Sequence, residues 1–207
     1  MPDRERRFLS LDRAGVEVED RDDGQPPEIT GVASVFYDGT PDTEYKLWDD
    51  AVERIMPMAF DRAIKEKQDV RALFNHDPDN ILGRTTNDTL GLSASRLGLR
   101  YAITPDDTQI ARDVTAFVKR RDVTGSSFSF IVQGEEWRKE EGVMIREITD
   151  VDLFDVGPVT FPAYEATTVD ARARDALEIS MRVAMETQKD ADDAGRRDFF
   201  AARQADE

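Results

Sequence analysis

Strand-like segments succeed one another through the centre of this 207-residue chain, with few helical stretches between them. Residues 29–36 alternate and close on Asp38-Gly39, a turn signal. Residues 45–48, 70–76, two stretches within 89–103, 126–133, 143–148 and the apolar run around Asp155 read the same way. Helical spacing is confined to three places. Residues 58–67 carry Ala59, Phe60 and Ile64 on one side. Residues 108–121 place Ile110, Val114, Phe117 and Val118 on one face, with Asp106, Asp107 or Thr108 as cap and Lys119-Arg120-Arg121 at the negative end of the dipole. Residues 171–185 align Leu177 and Met181. That mixture predicts a β-rich α+β fold, or a barrel with peripheral helices. The apolar content falls after Met185, so the chain divides into a domain over 1–170 and a helical, polar tail over 171–207.

Composition excludes several functions. A net charge of −16 is the wrong sign for a general nucleic-acid binder or for an anionic membrane surface. There is no cysteine, so thiolate catalysis, disulfides and cysteine-ligated metals are out. No apolar stretch is long enough to span a bilayer, and no signal peptide is evident, so a cytoplasmic setting is expected. No Walker loop, dinucleotide fingerprint or calcium loop is present, and no cofactor or metal is expected.

Three residue types remain that together make a hydrolase. The single histidine, His76, sits at the end of a strand in which Val70, Ala72 and Phe74 share its side. An imidazole ordinarily titrates near neutrality and accepts a hydroxyl proton; the plainer reading is a turn residue before Asp77-Pro78. In Gly125-Ser126-Ser127-Phe128-Ser129-Phe130, Ser127 and Ser129 share one face, and Phe128 and Phe130 fill the other as core. A hydroxyl needs an adjacent base to become a nucleophile; otherwise these serines belong to a turn. Asp155 lies among Val151, Leu153, Val156 and Val159. A carboxylate there is costly unless it is hydrogen-bonded or paired, whether to His76 or to an arginine. Glu147, Asp150 and Asp152 are rival acids in more solvated settings. The chain order His, Ser, acid differs from that of α/β-hydrolases, chymotrypsin-like enzymes and subtilisins.

Several blocks in order resemble the prohead (capsid maturation) serine proteases of tailed bacteriophages. Gly31-Val32-Ala33-Ser34-Val35-Phe36 is similar to the family's opening strand. Ile55-Met56-Pro57-Met58-Ala59-Phe60 matches its Ile-x-Pro-Gly-Ala-Phe block, with Met58 for glycine. Leu73-Phe74-Asn75-His76-Asp77 followed by Gly83-Arg84-Thr85 matches the histidine block. Residues 125–130 resemble Gly-Met-Ser-Phe-Gly-Phe, with Ser126 for methionine and Ser129 for glycine. Residues 153–163 resemble the acid block, with Asp155 where glutamate is common and Gly157-Pro158 as departures.

The resemblance implies His76, Ser127 and Asp155 as catalytic residues, with Ser129 a decoy. It implies a closed β-barrel ringed by helices, similar to herpesvirus assemblin proteases, and oxyanion donors from the loop near 161–164. The implied activity is a serine protease acting by an acyl-enzyme on the scaffolding segment of the phage major capsid protein, on separate scaffold and on itself. Its place would be the assembling procapsid in the bacterial host cytoplasm. A homo-oligomer is envisaged, with no nucleic acid or membrane as partner. The competing readings are an inactive scaffold or assembly module of the same fold, and another serine hydrolase such as an esterase.

Overall fold

The computed structural model describes residues 4–21, 27–161 and 177–187, together with 189 and 194. Eleven strands are laid out over these residues: β1 (Glu5–Leu9), β2 (Glu17–Glu19), β3 (Glu28–Val35), β4 (Tyr45–Trp48), β5 (Ala51–Ile55), β6 (Arg71–Leu73), β7 (Ile81–Arg84), β8 (Leu90–Ala94), β9 (Gly98–Ile103), β10 (Gly125–Glu140) and β11 (Val143–Val159). The helices are α1 (Leu11–Ala14), α2 (Asp61–Lys65) and α3 (Gln109–Lys119), with a further helix over 177–187. No described helix is long and apolar enough to cross a membrane.

The fold is β-rich α+β, but the strands do not close into a barrel. A seven-stranded sheet runs β1-β10-β11-β5-β4, with β6 and β7 branching from β11, and a separate four-stranded sheet runs β2-β3-β9-β8. The reason lies in β11. Its first half pairs in parallel with β5 and its second half in parallel with β6, so the sheet forks instead of curling round. The two sheets share one core, with Ile29, Leu99 and Tyr101 on one side and Phe128, Phe130 and Val156 on the other. Among the described residues the helices are too few to ring the sheets.

Local chemistry accounts for the helix ends. Thr108 caps α3, its Oγ1 accepting from the Ala111 N–H at 3.3 Å. Ala111, Val114 and Val118 are its buried residues. A second apolar cluster joins Leu47, Trp48, Ala51, Trp137 and Met144 to Leu177, with Met181 and Ala184 against it. The helix over 177–187 is thus docked on β4 and β10 by the face that the 171–185 pattern singles out; residues 171–176 lie outside the described residues.

The long β10–β11 hairpin is the platform for the site. Its register pairs Ser127 with Gly157 and Ser129 with Asp155. A bulge follows, because Phe130 then pairs with Leu153. Gly157 has φ +155, and a Cβ there would lie 2.2 Å from the Leu73 carbonyl oxygen. Glycine therefore permits the close approach of β6 to β11 that brings the histidine turn over the acid strand.

Candidate active site

His76 does not continue the strand row of Val70 and Ala72. β6 ends at Leu73, and Asn75 and His76 both adopt left-handed backbone, φ +56 and +58. The turn residues that follow override the alternation: the Asp77 N–H bonds the Phe74 carbonyl, the Asn80 N–H bonds that of Asp77, and the Asp79 N–H bonds the Asp77 carboxylate. Left-handed backbone costs a non-glycine residue about 1–2 kcal/mol. Asn75 offsets it by reaching across to the end of β11. Its N–H bonds the Pro158 carbonyl, its Oδ1 accepts from Thr160 N–H at 2.8 Å, and its Nδ2 donates to Thr160 Oγ1 at 3.1 Å. The turn is pinned to the strand that carries Asp155.

The result is one contiguous chain of polar side chains. His76 Nε2 lies 2.5 Å from Ser127 Oγ. His76 Nδ1 hydrogen-bonds Asp155 Oδ1. Ser129 Oγ donates to the other oxygen, Asp155 Oδ2. Asp155 is 2% exposed, so burial pushes its carboxyl up, but donation from His76, the imidazole charge, donation from Ser129 and the nearby Arg6 charge outweigh that and hold it below the usual carboxylate range. A charged carboxylate is what an orienting acid must be.

The neighbours fall elsewhere. Ser126 faces the opposite side, toward Tyr101 Oη at 3.2 Å and the Gly157 carbonyl. The rival acids are engaged by arginines: Glu147 by Arg138, and Asp150 and Asp152 by Arg62. Of the loop expected to supply oxyanion donors, only Phe161 is described, and it is 80% exposed; residues 162–164 lie outside the described residues.

β1 runs along the free edge of β10 and covers the serine. Phe8 pairs with Ser127, and its ring meets the His76 ring edge-on at 5.8 Å. The Arg7 carbonyl lies 2.8 Å from Ser127 Oγ, a second acceptor for its single proton. Ser127 is 0% exposed.

β1 is itself anchored by charge. Arg7 Nε and Nη2 donate to Glu53 at 2.6 and 2.7 Å, and Arg146 Nη1 donates to Glu53 at 2.8 Å. Glu5 takes both Arg7 and Arg146, and Glu135 joins Arg146 to Ser180 of the last helix. Burial raises the Glu5 carboxyl, yet donation from Arg146 and the charges of Arg7 and Arg146 bring it down to about 2. Sequence reasoning passed over this cluster. The signal was parity: Glu53 shares the side of Ala51 and Ile55, and Arg146 that of Met144 and Ile148, all buried.

With this geometry in view, a match to the Caudovirus prohead serine protease family covers residues 14–182. The chain belongs to that family. All three residues that the motif resemblance assigns, His76, Ser127 and Asp155, fall inside the matched span, as does Ser129. Among solved structures, the capsid assembly protease of bacteriophage T4 is similar at 13% identity and a TM-score of 0.42, over 75% of this chain and 98% of that one. At that distance it bears on neither mechanism nor substrate. No curated protein matches.

Proposed function

We propose that this prohead-protease family member is a serine endopeptidase in which Ser127 is the nucleophile, His76 the general base and Asp155 the orienting acid. One observation carries the reading: a single imidazole bridges a serine hydroxyl and a buried carboxylate. With Nδ1–H given to Asp155, the imidazole presents Nε2 as an acceptor. It takes the Ser127 proton as Oγ attacks a peptide carbonyl. Asp155 stabilises the imidazolium so formed, which then protonates the leaving amine. Water repeats the sequence on the acyl-enzyme.

The substrates in this proposal are the scaffolding segment of the phage major capsid protein, separate scaffold and the chain itself, inside the procapsid. The kinship with assemblin proteases belongs to the same proposal and is supported by the motif resemblance, not by a closed barrel. Within the tail proposed over 171–207, the helix over 177–187 is anchored through Leu177, 5% exposed in the second cluster. A second reading, an inactive assembly module, draws on the complete burial of Ser127 beneath β1. Co-expression with the major capsid protein of the same phage separates the two. Shortening of that protein by the wild-type chain but not by Ser127→Ala supports the protease; full-length capsid protein in both supports the module.

A further inference from the structure

We infer that Ser129 is a positioning residue for the catalytic carboxylate, a fourth member of the relay that holds Asp155 from the side opposite His76. The inference rests on the triad reading above and adds a residue to it. Ser129 stands where the resembled family block has glycine, so the function cannot be read across from the motif.

The geometry is specific. Ser129 and Asp155 are direct cross-strand partners, with the bulge beginning immediately after them. Directly opposed residues of an antiparallel pair put their side chains on the same face, which sets the Ser129 hydroxyl beside the Asp155 carboxylate. Ser129 is 0% exposed and Asp155 2%, so the pair lies within the fold and not at its surface. The two carboxylate oxygens are divided: Oδ1 for His76 Nδ1, Oδ2 for Ser129 Oγ. A carboxylate held at one oxygen swings about its Cβ–Cγ bond; held at both, it fixes the direction in which Oδ1 meets the imidazole. The other charges facing Asp155 are His76 and Arg6 of β1. Arg71, which pairs with Asp155 from β6, is committed to Asp69 at 3.1 Å. Ser129 is therefore the neutral donor in this set. Its donation also favours the ionised acid, so removing it moves Asp155 protonation to higher pH.

The chain has one histidine, which makes the test independent of any substrate. In full-length protein labelled with ¹⁵N-histidine, the Nδ1–H resonance belongs to His76 alone. The expected result is one far-downfield, slowly exchanging signal in the wild type. In Ser129→Ala that signal is lost to solvent exchange or moves upfield, and its disappearance on acidification, as Asp155 protonates, begins at higher pH. Ser129→Thr, which keeps a hydroxyl, restores both behaviours. A merely structural serine would leave the acid limb in place. An unchanged signal in Ser129→Ala, or equal loss in Ser129→Thr, overturns the inference. Asp155→Asn sets the frame. If it removes the downfield signal while Ser129→Ala leaves it intact, only this inference fails; if it leaves the signal intact, the His76–Asp155 pairing and the triad reading fail with it.

Discussion

Replacing Glu53 by glutamine is expected to destabilise the fold more than any substitution of a surface acid. Glu53 is 0% exposed and accepts three charge-assisted bonds, two from Arg7 and one from Arg146. Glutamine keeps the shape but turns one acceptor oxygen into an NH2 group aimed at an arginine. Removing one partner from a buried ion pair typically costs about 3–5 kcal/mol, because the remaining charge stays buried. Here Arg7 retains Glu5, and Arg146 retains Glu5 and Glu135, so the loss belongs at the low end, about 3 kcal/mol. For a chain of this size each kcal/mol moves Tm by about 2–4 °C, giving a fall of roughly 6–12 °C. Calorimetry of Glu53→Gln against wild type measures it. The control is Asp107→Asn, whose partner Arg112 is exposed and whose pairing should be worth less than about 1 kcal/mol. Added salt should not close the gap, since buried pairs are screened little. A Glu53→Gln melt within about 2 °C of wild type would refute the reasoning, because the cluster would then not be buried and interdependent.

Other outcomes follow from the same contacts. Asp155→Asn should fold yet lose roughly 10⁴-fold in turnover through the wrong imidazole tautomer; near-normal cleavage by that variant would contradict the assignment of the acid. Gly157→Ala places a Cβ 2.2 Å from the Leu73 carbonyl and should separate β6 from β11, lowering both Tm and activity, which melting and cleavage assays read together. Acid should weaken the fold in a defined window. Glu5 is depressed from 4.5 to about 2, so its contribution is complete above 4.5 and is lost as pH falls toward 2. Urea unfolding across that range should show a steeper loss for wild type than for Glu5→Gln.

Much of this was legible in the sequence, for identifiable reasons. The strand over Tyr45–Trp48 and the placing of Phe128 and Phe130 together in the core were legible because large apolar side chains two apart on a strand share a face. The cap of α3 was legible to within three residues, Asp106, Asp107 or Thr108, because capping is local, and Thr108 is the one that accepts from Ala111 N–H. The setting of His76 was not. Its left-handed backbone is imposed by the Asp77–Asn80 turn and by Asn75 holding Thr160, a contact between distant segments. The expected closed barrel gave way to two sheets because one long strand, β11, takes two parallel partners in succession, which alternation cannot encode. Ser129 reads as a decoy from the motif resemblance, because it fills the position of a glycine; parity puts it on the Ser127 face but does not show that its hydroxyl reaches Asp155.

The central claim is that Ser127, with His76 and Asp155, cleaves peptide bonds. Its most direct measurement is the intact mass of the purified full chain over time, wild type beside Ser127→Ala. The wild type is expected to lose a terminal fragment at a defined bond while Ser127→Ala keeps its full mass under the same conditions. Trimming that proceeds equally in Ser127→Ala, or that stops in Ser126→Ala instead, would contradict it.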